Sequence, residues 1–518
     1  MSDWFKTEAA RRRHAGGMKS RERDLRAAGG RSRPGVILAL TCAAQFMLIL
    51  DLVVVNVALP TMQKDLRLSP SDLQWVVITY GLTFGGFLLL GGRAADLLGR
   101  RRVLVAGLTM LTAGSLAAGL AGSLIPLLVA RAVQGLGAAM AAPAALSILT
   151  GTFAEGPARN KALGIFGGVA GSAACLGLVV SGVLVGGPGW RWIFLINVPT
   201  GIALTGFVLT YVPKGERTHR GSADVLGAVT VTTGMLAIVY AINRSAAYGW
   251  TSAVTLGVLA GGVAMLGLFV IVEQRVTAPL IPLSMFRLKT LTTANIAAVL
   301  VMGSFFGMAF QSTLFLQQVL GYSPLRTGAA GVITAVSSII VSSAIAARVV
   351  GRIGAARTLV IGQGIAVAGL LYLSRASVHA GYWRDLFPAF LGSGIGIGLS
   401  GVAVQVAAFI GVKDKVSGLA GGMVSTAQEV GAALGLAVIA TAALARSAEV
   451  TRAAGGQPTV RALAQTAGFQ RGALVAAGFS IAAALVAGLM LWRAERAERA
   501  AASARPPEPA PEPAVRAA

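Results

Sequence analysis

Charge is scarce in this chain: only 12% of its 518 residues are Asp, Glu, Lys or Arg. A soluble protein of this length normally carries about twice that share. Cysteine and histidine are scarcer still. The two cysteines, Cys42 and Cys175, lie far apart in apolar runs, which excludes a disulfide framework and a cysteine metal site. The three histidines, His14, His219 and His379, fall outside the apolar runs, which argues against histidine chemistry within a membrane. Apolar and polar residues do not alternate in short segments, so the pattern of a membrane β-barrel is missing. No His, Cys, Ser or metal cluster marks an enzyme at a membrane face. The two tails are too short and compositionally biased for a folded sensor domain.

What remains is apolar. Mean hydropathy is +0.73 and glycine numbers 67. Runs long enough to cross a bilayer recur along the whole length, which predicts an all-α polytopic membrane protein. Fourteen spans are expected, at 36–59, 73–92, 103–122, 124–150, 162–186, 192–212, 223–242, 252–272, 290–316, 327–347, 358–374, 385–410, 418–442 and 472–492. The net charge of +24 would point to nucleic acid on a soluble chain. Here the basic residues sit in the tails and between apolar runs, as the positive-inside rule requires, and no nucleic-acid partner is expected. Arg100, Arg101, Arg102, Arg159, Lys161, Lys214, Arg217, Arg220, Arg275, Arg287, Lys289, Arg348, Arg352, Arg357, Lys413 and Lys415 fall on one side, which predicts a cell-membrane protein with both termini cytoplasmic. The basic N-terminal tail lacks a cleavage site, so the first span reads as an uncleaved helix, and its arginines offer weak contact to anionic lipid.

Leu98-Gly99-Arg100-Arg101-Arg102-Val103-Leu104-Val105-Ala106-Gly107 returns 255 residues later as Ile353-Gly354-Ala355-Ala356-Arg357-Thr358-Leu359-Val360-Ile361-Gly362. Both copies fall between the second and third spans of a six-span unit. The expected division is a basic tail at 1–35, a six-helix bundle at 36–212, a two-helix insert with linkers at 213–289, a second bundle at 290–493, and a Pro-rich disordered tail at 494–518. A parallel repeat of this kind is a transporter architecture, with its substrate site between the halves near midplane.

Within the first span Asp51 is the one charged residue between Val36 and Pro60. A charge there costs roughly 2.5–3.5 kcal/mol on insertion scales, so it is expected to handle a proton, an ion or a charged substrate. Arg131, in span four, lies at a similar depth, roughly 10–12 Å inside the outer boundary at 1.5 Å per residue. The two are expected to meet in a shared cavity, as a proton-coupling pair or as a structural ion pair. Gln134, one turn from Arg131, extends the polar stripe on that helix. Asn197, in Trp190-Arg191-Trp192-Ile193-Phe194-Leu195-Ile196-Asn197, is expected to face the interior. Glu429 is the one membrane carboxylate of the second half, near midplane of span thirteen, and reads as a substrate counter-charge or a second proton site. Asp51, Gln134, Asn197 and Glu429 are thus the expected cavity residues.

Gly92-Arg93-Ala94-Ala95-Asp96-Leu97-Leu98-Gly99-Arg100-Arg101 is a tight charged loop between spans two and three. Gly92, Asp96, Gly99, Arg100 and Arg101 are expected to gate through a contact between the halves, or to serve only as a cationic turn. Gly164, Gly177 and Gly182 in span five are expected to let helices pack closely.

Taken together these motifs resemble the fourteen-helix drug:proton antiporters of the major facilitator superfamily. The resemblance rests on Asp51, Asn56 and Pro60 in span one, on Gly92–Arg101, on Arg131–Ala139, on Trp190–Pro199, and on Glu273, Pro279, Leu280 and Pro282 after span eight. It implies a major facilitator fold, two six-helix bundles with two linking helices. It also implies proton-coupled efflux of amphipathic, cationic drugs or antibiotics by alternating access, as a monomer, with no cofactor or metal. Asp51 would be the protonatable group, Arg131 its coupling partner and Asp96 part of the gate. The chain departs from the family at Val53, at Leu97 and in span five, where Gly177-Leu178-Val179-Val180-Ser181-Gly182 lacks the usual proline. That departure favours a second reading, a dedicated natural-product exporter or lipid translocase on the same fold.

Overall fold

The computed structural model describes residues 34–153, 157–213, 224–276, 279–412, 417–455, 457 and 460–494. The two tails and Lys214, Arg217, Arg220, Lys413 and Lys415 lie outside them. Among the described residues, fourteen helices are long and apolar enough to cross a bilayer. They are α1 (Pro34–Asp65), α2 (Pro70–Leu98), α3 (Arg100–Gly119), α4 (Leu124–Thr152), α5 (Pro157–Gly186), α6 (Trp192–Tyr211) and α7 (Val225–Tyr248). The rest are α8 (Ala253–Arg275), α9 (Lys289–Val319), α10 (Pro324–Ile353), α11 (Ala355–Leu373), α12 (Tyr382–Phe409), α13 (Ser417–Ala453) and α14 (Arg461–Ala494). In lipid a backbone must satisfy its own polar groups, which leaves an apolar run no choice but helix.

Local sequence sets the ends. Ser69 and Asp72 form a reciprocal capping box around Pro70 at the start of α2. Ser323 caps α10 ahead of Pro324 with its side chain alone, accepting from the Arg326 amide at 3.2 Å. Gly99 separates α2 from α3 with φ at 97°, and its repeat counterpart Gly354 separates α10 from α11 with φ at 89°. A left-handed backbone at both positions is the reason the repeated loop keeps glycine there.

Helices α1–α6 and α9–α14 form the two six-helix bundles of a major facilitator fold, and α7 and α8 pair as a hairpin between them in sequence. The hairpin leans on the seam between α2 and α13: the Asn243 amide donates to the Ser71 carbonyl at 3.5 Å, and the Thr441 hydroxyl to the Ile242 carbonyl at 3.5 Å. One boundary differs from expectation. The stretch between the spans expected at 418–442 and 472–492 is mostly helix, because α13 continues to Ala453 and α14 begins at Arg461. The extension is rich in alanine and carries an Arg446–Glu449 pair at 2.9 Å, so it is stable as helix outside the apolar stretch until Gly455 turns with φ at 65°.

The halves meet at one end, and at the other α5 and α10 part. At the end bearing the α1–α2 and α9–α10 loops, the Gln317 amide donates to the Val57 carbonyl at 2.8 Å and Gln318 to Gln63 at 2.9 Å. Along α5, a Cβ on Gly182 would stand 2.6 Å from Leu325 Cα, and one on Gly171 would stand 2.9 Å from the Ile339 side chain. Gly164, Gly167 and Gly168, nearer the Gly99 end, have open space beside them. In the orientation expected from charge, the outer seam is closed and α5 and α10 part toward the inner end, while α2 and α13 stay close there, a Cβ on Gly422 falling against the Leu89 side chain. The expected packing role fails for Gly164 because it lies where α5 and α10 have diverged. Gly177, facing Val53 of α1, and Gly182 do pack closely.

Candidate functional site

Asp51 is fully buried on α1 and turns toward α4 and α6. Arg131 Nη1 donates to Asp51 Oδ2 at 3.0 Å. Gln134 Nε2 donates to Asp51 Oδ1 at 2.9 Å, and Asn197 Nδ2 to the same oxygen at 2.7 Å. The carboxylate therefore accepts from three side chains on two other helices. Arg131 is held in turn: its Nε donates to the Val76 carbonyl at 3.0 Å and its Nη1 to Gln134 Oε1 at 3.0 Å. Its guanidinium carbon stands 4.3 Å from the centre of the Tyr80 ring. The Nη2 atom has no hydrogen-bond partner, so that aromatic face supplies part of its environment. Gln134 Nε2 also donates to Ser115 Oγ of α3 at 2.8 Å. Five of the first six helices thus converge on one carboxylate.

The sequence reading did not single out Tyr80 or Ser115. A tyrosine in the middle of an apolar run was a usable signal for the first. Ser115 carried none, since serine is common in membrane helices.

A cavity of about 430 Å³ lies between the halves. Ile49, Leu52, Val53, Asn56 and Val57 of α1 and Leu178 of α5 form one wall. The facing wall comes from α9 to α12 and α14, with Phe305, Phe306 and Phe390 and several hydroxyls. Here the structure departs from expectation. Asp51, Gln134, Asn197 and Glu429 do not line this cavity. The first three sit behind α1, whose other face forms the wall. Glu429 lies on α13, half-buried in a separate seam against α2, where a Cβ on Gly81 would be 3.5 Å from its Oε2. Next to it, Thr426 Oγ1 donates to the Gly85 carbonyl at 3.2 Å.

The loop residues are placed within one half. Arg100 Nη1 donates to the Ser147 carbonyl of α4 at 3.0 Å, and Arg101 to the Leu209 carbonyl of α6. Asp96 makes no ion pair among the described residues, and Gly92 packs beside Pro143 of α4. Among the described residues, these hydrogen bonds of Arg100 and Arg101 stay within the first half.

In helix five, where the family's proline is missing, α5 runs from Pro157 to Gly186 and the Ser181 hydroxyl donates to the Val54 carbonyl of α1. The glycines there keep close contact with α1 and α10 without that proline.

The model of the Major Facilitator Superfamily matches residues 41–436. The chain is 36% identical over 483 residues to the puromycin resistance protein pur8 of Streptomyces alboniger, covering 91% of this chain and 94% of that one. It is 38% identical to the cephamycin export protein CmcT of Amycolatopsis lactamdurans, over 78% of this chain and 84% of the relative. It is 34% identical to the tetracenomycin C resistance and export protein of Streptomyces glaucescens, over 82% and 78%. Among solved structures, a bacterial homologue of the human lysosomal transporter Spinster superposes with a TM-score of 0.64 at 17% identity, over 89% of this chain and 97% of that one. With the family model and these relatives spanning most of its length, the chain belongs to the Major Facilitator Superfamily, a family of transporters and not of enzymes.

Proposed function

We propose that the chain exports amphipathic small molecules across the cytoplasmic membrane in exchange for protons, as a monomer with both termini inside. The observation that carries this is the Asp51–Arg131 pair, both members fully buried, with Gln134 and Asn197 also donating to the carboxylate. A buried ion pair is a poor way to gain stability, so its retention inside a bilayer-length helix favours a working role. Relatives named for puromycin resistance, cephamycin export and tetracenomycin C export support efflux as the direction.

In this reading Asp51 takes a proton when the outer seam opens, and its bond to Arg131 breaks. Closing that seam and opening the inner end lets the proton leave, and the pair re-forms as found here. Arg100 and Arg101 brace the inner loop on α4 and α6, which leaves Asp96 to meet the second half when the inner end closes. The test is drug efflux from vesicles under an imposed proton gradient. Asp51→Asn should abolish concentrative, gradient-driven efflux while leaving downhill movement. Intact gradient-driven efflux in that variant would remove the coupling assignment.

A second reading is favoured by relatives each named for a single antibiotic: one dedicated natural product as cargo. A substrate panel separates the two, since a dedicated exporter moves one compound and refuses the rest.

A further inference from the structure

We propose that the central cavity is built for an uncharged, ring-bearing molecule that donates a hydrogen bond to Gln363. The inference rests on the exporter reading and narrows its cargo class. It departs from the cationic cargo that the family resemblance implies.

Charge comes first. None of the cavity's described lining residues is Asp, Glu, Lys, Arg or His. Neither membrane carboxylate near this level is on the cavity wall. Asp51 is 0% exposed and paired with Arg131 behind α1, and Glu429 lies in the α2–α13 seam. A cation entering this space would lose its hydration and meet no counter-charge, a loss that a neutral molecule of the same shape does not suffer.

The second observation is an unused acceptor. Gln363 of α11 is on the wall and only 2% exposed. Its Nε2 donates to Ser400 Oγ at 2.8 Å, while Oε1 is buried with no partner. Three of the lining hydroxyls have their protons directed to backbone: Thr334 donates to the Phe390 carbonyl at 3.1 Å, Thr327 to Ser323 at 3.0 Å and Ser304 to Ala476 at 2.9 Å. An unpartnered acceptor on a wall residue favours a ligand that brings an N–H or O–H to it.

The third is shape. Phe305 and Phe306 meet edge to face with centroids 5.5 Å apart, and Phe390 joins them on the same wall. Aromatic faces and edges of this kind favour planar rings. The volume of about 430 Å³ suits a drug-sized molecule. Specificity would then reside mainly in the C-terminal half, which supplies Gln363 and the rings, while the N-terminal half supplies an apolar wall with the single amide of Asn56, and the proton site.

The test is equilibrium binding to the full chain in lipid nanodiscs, with empty nanodiscs subtracted. Three probes suffice: N-phenyl-1-naphthylamine (neutral, one N–H), its N-methyl derivative (neutral, no donor) and ethidium (a fixed cation). The naphthylamine should bind about 10-fold or more tighter than ethidium, given the missing counter-charge. Gln363→Leu should weaken the naphthylamine by about 3- to 10-fold, the worth of one neutral hydrogen bond, and leave the N-methyl derivative unchanged. That unchanged binding also shows that the variant has folded. Ethidium binding as tightly as the naphthylamine would overturn the proposal. So would equal loss of both neutral probes in Gln363→Leu, or no saturable naphthylamine binding at all. Vesicle efflux is read separately: selective binding without gradient-driven efflux would defeat the exporter reading and leave the cavity assignment standing.

Discussion

Asp51 and Leu52 are consecutive residues with opposite duties. Leu52 lines the cavity between the halves, while Asp51, fully buried, bonds to Arg131 inside the first bundle. One helix, α1, therefore separates the charged network from the cargo space by its own thickness. Movement of α1 is the shortest physical link between the two, since Ser181 and Gly177 of α5 grip it at Val54 and Val53.

Breaking the network on one side should be more damaging than removing it. Arg131→Met leaves Asp51 buried without its cation, which costs about 3–5 kcal/mol by analogy with other buried pairs. The double variant Asp51→Leu with Arg131→Met leaves no buried charge and should recover most of that loss, although it should not transport. Thermal unfolding of the single and double variants in one detergent checks this. A double variant no more stable than Arg131→Met would mean that the pair itself holds the bundle together.

The glycines of α5 should differ in their effect on conformation. Gly182→Ala puts a Cβ 2.6 Å from Leu325 Cα in the closed outer seam, and backbone there cannot move aside cheaply. Gly164→Ala meets nothing within 4 Å and gains helix propensity of about 1 kcal/mol. Gly182→Ala should therefore shift the population toward outward-open, read as faster labelling of outer-cavity cysteines, and Gly164→Ala should not. Equal labelling of the two variants would show that this contact does not hold the seam.

At the outer surface the Arg191–Asp65 ion pair should matter little. Its members are 41% and 46% exposed, and Asp65 also accepts from Trp190 Nε1 at 2.8 Å. Exposed pairs are screened and are worth about 0.2–1 kcal/mol. Asp65→Asn should lower the unfolding temperature only slightly, with the difference shrinking further in high salt. A large loss would mean that this corner is drier in the bilayer than its exposure indicates.

Much of the fold is written in hydropathy, because a lipid solvent allows an apolar run only one backbone solution. The outward extension of α13 and early start of α14 were less legible, since helix outside the apolar stretch depends on alanine content and pairs such as Arg446–Glu449. Asp51, Arg131 and Gln134 stood out because charge and amide are conspicuous in apolar helices. Which way they faced was not legible: the cavity wall is set by the tilt between halves, and that tilt also decides that Gly182 is packed and Gly164 is not. Gln363 was overlooked because a lone glutamine in an apolar helix resembles many others. Only its unpaired Oε1 in three dimensions distinguishes it.

The outer closure is held by neutral amides, so it should respond to their removal and scarcely to salt. Gln318 Nε2 donates to Gln63 Oε1 at 2.9 Å, and Gln465 Nε2 donates to Gln318 Oε1 at 2.9 Å. Gln318 thus joins α1 of one half to α9 and α14 of the other. Gln318→Leu deletes both bonds, each worth about 0.5–1.5 kcal/mol, but only the bond to Gln63 crosses between the halves. The outward-open population should rise by about 2- to 10-fold, the equivalent of one such bond. Spin labels on the exposed outer residues Lys64 and His379, one on each half, would report it as a longer distance population. Gln465→Leu is the matched control, because it removes a bond within the second half and leaves the crossing bond intact. If the control opens the seam as far as Gln318→Leu does, the Gln63 contact is not what keeps the outer end shut.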